Sequence, residues 1–112
     1  MRRQTKYFNR PVILDGIKFQ SIKEADYYCE LKLMVWSGAV VDFKRQVPYE
    51  LIPAQYIGKK CVEQGVKYYA DFVVSYPDGR QEVVDIKGMR TYPYILKRKM
   101  MLFFHGIRIK EI

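Results

Sequence analysis

The stretch VKYYADFVVSYPDGRQEVVDIK, residues 66–87, is two β-prone runs around a turn, and its register decides where two aspartates lie. Val66 to Tyr76, rich in Val, Tyr and Phe, reads as one strand, and Gln81 to Lys87 as the next. Between them Pro77 suits the first position of a type I turn and Gly79 the left-handed third position. A three-residue loop of this kind pairs Tyr76 with Arg80. Counting back along both strands sets Asp71 opposite Asp85, with Lys87 on the face of Asp85 by the period of two. Two carboxylates with Cβ atoms about 5 Å apart repel. A hard divalent cation, which wants oxygen ligands, would relieve that repulsion. A loop one residue longer would turn Asp71 to the other face.

Before this hairpin, Val12 to Leu14 and Ile17 to Phe19 flank Asp15-Gly16, a two-residue turn signal. Ser21-Ile22-Lys23-Glu24 has capping-box spacing and opens a helix expected to run to about Ser37, with Gly38 as its stop. Ile22, Ala25, Cys29, Leu33 and Trp36 are expected along its apolar face. Extended segments follow at Val40 to Phe43 and Val47 to Ile52, then a looser stretch from Pro53 to Lys60. After the hairpin, Pro93 opens a second helix through Phe104, closed by Gly106. In the final stretch Ile107, Ile109 and Glu111 alternate with Arg108, Lys110 and Ile112, as in a last strand. From Ser21 onward the order is helix, antiparallel strands, helix, strand. The expected fold is α/β with a mixed central sheet, in one domain over residues 1–112: a basic segment and hairpin (1–20) and a core (21–112).

Composition narrows the function. Twenty Lys and Arg against twelve Asp and Glu give a formal charge of +8, which points to a polyanionic partner, nucleic acid first. Arg2, Arg3, Lys6 and Arg10 open the chain with positive charge. No run approaches the ~18 apolar residues of a membrane span, and Met1-Arg2-Arg3-Gln4 lacks the apolar stretch of a signal peptide, so a cytoplasmic protein with no membrane partner is expected. Cys29, Cys61 and the single His105 have no zinc-site spacing. The cysteines read as free thiols, buried or half-buried. His105 reads as a surface residue suited to a helix C-terminus.

Asp71 followed by Asp85-Ile86-Lys87 is a weak pattern alone; its context strengthens it. With Phe19-Gln20-Ser21, Glu24-Ala25, Gln46, Pro48, Tyr69-Ala70-Asp71-Phe72, Val84-Asp85-Ile86-Lys87-Gly88, Thr91 and Lys97-Arg98-Lys99, the chain resembles the PD-(D/E)xK nuclease superfamily. It is similar in particular to small phage-encoded endonucleases related to Holliday-junction resolvases. The likeness spans roughly Ile17 to Ile112. Ala70 stands where the superfamily name has Pro, and Asp85 where Glu is common; both variants keep the carboxylates.

The resemblance implies a restriction-endonuclease-like core and a metal-dependent DNA endonuclease of phage or prophage origin, selective for DNA structure. Asp71 and Asp85 would bind Mg²⁺, or Mn²⁺ in its place, with the main-chain carbonyl of Ile86 as a further ligand. Lys87 would orient or help deprotonate the attacking water. Glu24 has two readings, which can coexist: helix cap, and metal-site residue acting through water. Gln46, Thr91, Tyr94 and Lys97 are weaker candidates, and Lys97, Arg98 and Lys99 together suit a phosphate-backbone patch on DNA. Cutting both strands of a branched, symmetric junction calls for two active sites, hence the expectation of a two-fold homodimer. The alternative from another class is a basic DNA-binding module that retains the nuclease fold without catalysis. Without the resemblance, Asp85 and Lys87 could equally be a solvated strand face with a weak ion pair.

Overall fold

The computed structural model describes residues 11–86 and 89–112. The opening basic residues Arg2, Arg3, Lys6 and Arg10, together with Lys87 and Gly88, lie outside the described residues. The fold is mixed α/β, with two helices and a mixed sheet among those residues. The chain divides into two compact units, one of Met1–Asp42 with Ser75–Arg80 and one of Phe43–Val74 with Gln81–Ile112.

The first unit is built on local signals. Strands β1 (Val12–Leu14) and β2 (Ile17–Phe19) pair antiparallel around Asp15 and Gly16, whose φ angles of 54° and 73° are those of the tight hairpin turn that the pair signals. Helix α1 (Ile22–Ser37) starts where the Ser21 side chain accepts from the Glu24 amide and stops at Gly38, φ 87°. Its buried residues are Glu24, Ala25, Tyr28 and Leu31. This corrects the expected face: Ala25 is buried, but Cys29 is exposed, Leu33 is 68% exposed and Trp36 87%. Tyr28 decides the rotation. Its ring packs on Phe19 at 5.0 Å, and its hydroxyl donates to Asp15, which also pairs with Lys32. An aromatic residue with a polar partner, together with Leu31, took the inward position in place of Cys29, Leu33 and Trp36. Both cysteines are exposed, against the expectation of buried thiols.

The second unit carries the four-stranded sheet, in the order β3-β6-β7-β8. Strand β3 (Asp42–Ile52) is one continuous strand where two segments were expected, and Gln46 sits inside it with φ 50°. The expected loose stretch is an exposed hairpin of β4 (Gln55–Ile57) and β5 (Lys60–Glu63). Gly65, where the chain leaves that hairpin, sits close against the backbone, since a Cβ would lie 3.0 Å from the Ile52 carbonyl oxygen. Strands β6 (Val66–Ser75) and β7 (Gln81–Asp85) are joined by a loop too short for a crossover and therefore run antiparallel. The loop closes as expected, with the Tyr76 amide donating to the Arg80 carbonyl at 2.9 Å and Gly79 at φ 89°.

Helix α2 (Tyr92–His105) has Thr91 as its N-cap, Pro93 in its first turn and Gly106 as its C-cap. It returns the chain so that β8 (Lys110–Glu111) lies parallel to β7, pairing Val84 with Lys110 and Asp85 with Glu111. The final strand is thus two residues long rather than the whole of Ile107 to Ile112. Tyr94 and Met101 of α2 pack with Tyr68, Ala70, Val73, Val83, Leu51 and Ile109 in one core. At an apolar-area contribution of roughly 25 cal/mol per Å², side chains of this size stabilise by about 1.5–3 kcal/mol each when fully buried. That core fixes α2 on the sheet, and with it the ends of β7 and β8.

Candidate metal and nucleic-acid site

Asp71 and Asp85 come from adjacent strands of the second unit, and the protein holds each carboxylate differently. Asp71 is half-buried. Its Oδ2 accepts from the Ile86 amide at 2.8 Å, so the side chain of one strand is fastened to the backbone immediately after Asp85 on the other. Its Oδ1 accepts from Gln46 Nε2 at 3.2 Å. Asp85 is 1% exposed, and its Oδ2 accepts from the Tyr68 hydroxyl at 2.5 Å. Burying a carboxylate is costly unless hydrogen bonds or a cation offset it, and a tyrosine donor is one such offset. Burial, then the bond to Asp85, hold the Tyr68 hydroxyl protonated far above its ordinary range.

Gln46 reaches Asp71 from an unusual backbone. A left-handed residue other than glycine inside a strand costs on the order of 1–2 kcal/mol, and irregularities of this kind re-aim side chains beside functional sites. The bond to Asp71 is a return on that strain.

Alongside Asp85, the parallel register puts Glu111 on the neighbouring strand. Registered residues of a parallel pair share a face, so the two carboxylates stand side by side about 4.8 Å apart at the backbone. Glu111 is clamped: its Oε1 accepts from Arg90 Nε at 3.0 Å, its Oε2 from Tyr94 Oη at 2.5 Å and Arg98 Nη1 at 3.0 Å. The Tyr94 hydroxyl, more than the guanidinium groups, holds the Glu111 carboxyl below the usual range, against a contrary push from desolvation. Burial and then the bond to Glu111 push the Tyr94 hydroxyl up, and the charge of Asp85 adds to this. With the rings of Tyr68 and Tyr94 centred 6.5 Å apart, Asp85, Tyr68, Tyr94 and Glu111 form one polar line between sheet and helix.

The expected site residues divide as follows. Asp71, Asp85, Ile86 and Gln46 are brought together in the second unit. Glu24 belongs to the first unit, 3% exposed, with its Oε1 accepting from the Gln20 amide at 2.9 Å and its own amide on Ser21 Oγ. That is a capping interaction one residue earlier than the spacing implies. Thr91 caps α2, accepting from the Tyr94 amide. Arg98 is engaged with Glu111, Lys97 is half-buried and Lys99 exposed. His105, near the end of α2, lies with Nε2 2.6 Å from the Glu50 carbonyl oxygen and edge-on to Tyr49. Tyr68, Arg90 and Glu111 were missed by the sequence reading. For Glu111 a signal existed, since it continues the apolar alternation of Ile107 and Ile109 and so marks an acid at an inward position.

Asp71, Asp85 and the Ile86 carbonyl offer oxygen alone, the donor set of a hard divalent cation, and a carboxylate oxygen that accepts one hydrogen bond keeps lone-pair capacity for a metal. The hydrogen bonds from Gln46, Tyr68 and the Ile86 amide are of the kind that orient metal-ligating carboxylates. These residues fit Mg²⁺ or Mn²⁺. Among the described residues, no group of three His, Cys, Asp or Glu is placed to hold a metal ion. No described helix is long and apolar enough to cross a membrane. The family model described as protein of unknown function (DUF1064) matches residues 4–110. The chain belongs to that family. No curated protein matches it.

Proposed function

We propose that this DUF1064 family member is a metal-dependent endonuclease that hydrolyses phosphodiester bonds in DNA, built on a restriction-endonuclease-like core. The observation that carries the reading is the bond from the Ile86 amide to Asp71, which fastens one aspartate to the backbone immediately after another on the neighbouring strand. The net charge of +8 supports a polyanionic substrate. Asp71, Asp85 and the Ile86 carbonyl would hold Mg²⁺ or Mn²⁺. Such an ion would supply polarisation of the scissile phosphate and a bound water of lowered pKa. Tyr68 holds Asp85 in one orientation, and Gln46 with the Ile86 amide holds Asp71. Lys87 orients the water and offsets charge developing on phosphorus. Nothing in the chain reads base edges in a recognisable way, so DNA shape, including branched DNA, is the favoured determinant. A two-fold homodimer and a cytoplasmic setting in the host cell of a phage complete the proposal.

The burial of Asp85 favours a second reading, a basic DNA-binding module in which this aspartate has a structural role, accepting from Tyr68. Cleavage of linear, nicked, flap and four-way-junction DNAs with Mg²⁺ separates the two. Asp85→Asn and Asp71→Asn are expected to lower the rate at least ~100-fold, the scale of losing one preorganised electrostatic group. Calorimetry is expected to show Mg²⁺ binding to the parent and its loss in both variants. Near-parental cleavage by Asp85→Asn would remove the assignment.

A further inference from the structure

A cavity of about 600 Å³ opens beside the clamped Glu111, lined by Arg90, Arg98, Lys99 and Arg108 with Leu102. Four cationic side chains face one carboxylate there. Lys99 and Arg108 are exposed, and among the described residues neither is paired with an acid. Glu111 does more than subtract charge. Its two oxygens each take one N–H of a different guanidinium, Arg90 on Oε1 and Arg98 on Oε2, and Arg98 also lies over the Tyr94 ring at 6.0 Å. A guanidinium carries five donors in a rigid plane, so each arginine is held in place by one bond with further donors remaining. Such prior ordering reduces the entropy that binding an oxyanion must overcome.

Position gives the cavity its ligand. Glu111 is the register partner of Asp85, so the cavity begins one strand spacing, about 4.8 Å, from the strand that carries the candidate site. A nucleic-acid strand lying at Asp71 and Asp85 would carry its next phosphates over the adjoining strand, and planar bidentate donors are the chemistry that recognises them.

We propose that the Arg90–Arg98–Lys99–Arg108 cavity is a binding site for a backbone phosphodiester flanking the one at Asp71 and Asp85. The inference rests on the nuclease reading for its ligand, but its test does not require cleavage. Duplex DNA affinity is measured in EDTA across a range of salt for the parent chain and for Lys99→Ala combined with Arg108→Ala. Both residues are exposed and outside the Glu111 clamp, so the fold is retained. Lys59→Ala combined with Lys60→Ala, on the exposed β4–β5 hairpin, is the charge-matched control.

The expected result is a log–log salt slope flatter by about 0.9 for each lost contact, with the control closer to the parent. With Mg²⁺, cleavage by the double variant is expected to show a raised KM and little change in kcat. A salt slope and affinity equal to those of the control would overturn the proposal. So would calorimetric binding of inorganic phosphate that the double variant loses while its DNA slope stays parental, since the cavity would then serve a small anion. Normal cleavage by Asp85→Asn sinks the nuclease reading, whereas parental DNA binding by the Lys99/Arg108 variant sinks the phosphate site alone.

Discussion

Replacing Tyr68 with Phe removes one oxygen atom, and with it the hydroxyl donor, from the interior and leaves the ring in place. Tyr68 is 3% exposed and Asp85 1%, so water cannot readily replace the lost donor. The bond is 2.5 Å long and ends on a carboxylate, the class worth about 1.5–3 kcal/mol rather than the ~1 kcal/mol of a neutral pair. The expected loss is therefore ~2–3 kcal/mol, with no cavity contribution beyond the hydroxyl itself. At about 4 °C per kcal/mol for a chain of this length, the melting temperature falls by roughly 8–12 °C. The same change in an Asp85→Asn background removes a bond between neutral groups and is expected to cost only ~1 kcal/mol. Urea unfolding of the four proteins gives the cycle directly, provided the m-values agree. A loss under about 0.5 kcal/mol for Tyr68→Phe, or an equal loss in both backgrounds, would refute the view that the tyrosine stabilises a buried charge.

Gln46→Gly relieves the left-handed backbone while Gln46→Ala does not, so the Gly variant is expected to be more stable than the Ala variant by ~1 kcal/mol in urea, and both to cleave more slowly than the parent. Equal stability would show the positive φ carries no strain. Tyr68 and Tyr94 keep their protons in the fold beyond the ordinary range near 10, so above about pH 10 the unfolded chain binds fewer protons; their contribution is complete below that pH and declines above it. Phenolate absorbance is expected to show a group of tyrosines titrating near pH 10 and others only on unfolding; a single wave with the fold intact would contradict it. Leu31→Ala is expected to cost ~2–5 kcal/mol, while Leu33→Ala and Trp36→Ala each cost under about 0.5 kcal/mol. The reverse order by chemical denaturation would restore the helix face read from apolar spacing.

The elements that could be read from the chain alone are those whose determinants sit within a few residues. Ser21 and Gly38 bound α1, Pro93 and Gly106 mark the ends of α2, and Asp15-Gly16 and Pro77-Asp78-Gly79 shape their turns, because caps and turns depend on local φ/ψ and hydrogen bonds three or four residues apart. The same holds for Asp71 beside the Asp85 strand, since a short hairpin loop carries its own register. Tertiary packing decided the rest. Which side of α1 is buried turned on Tyr28 meeting Phe19 and Asp15, partners that an apolar count gives no weight. The left-handed Gln46 has no local signal, because its strain is offset by the sheet and by Asp71, 25 residues away. Glu111 reached Asp85 only because α2, held on the core by Tyr94 and Met101, returned the chain parallel to β7. Parallel register is set by the docking of a whole crossover, and no short stretch of residues encodes it.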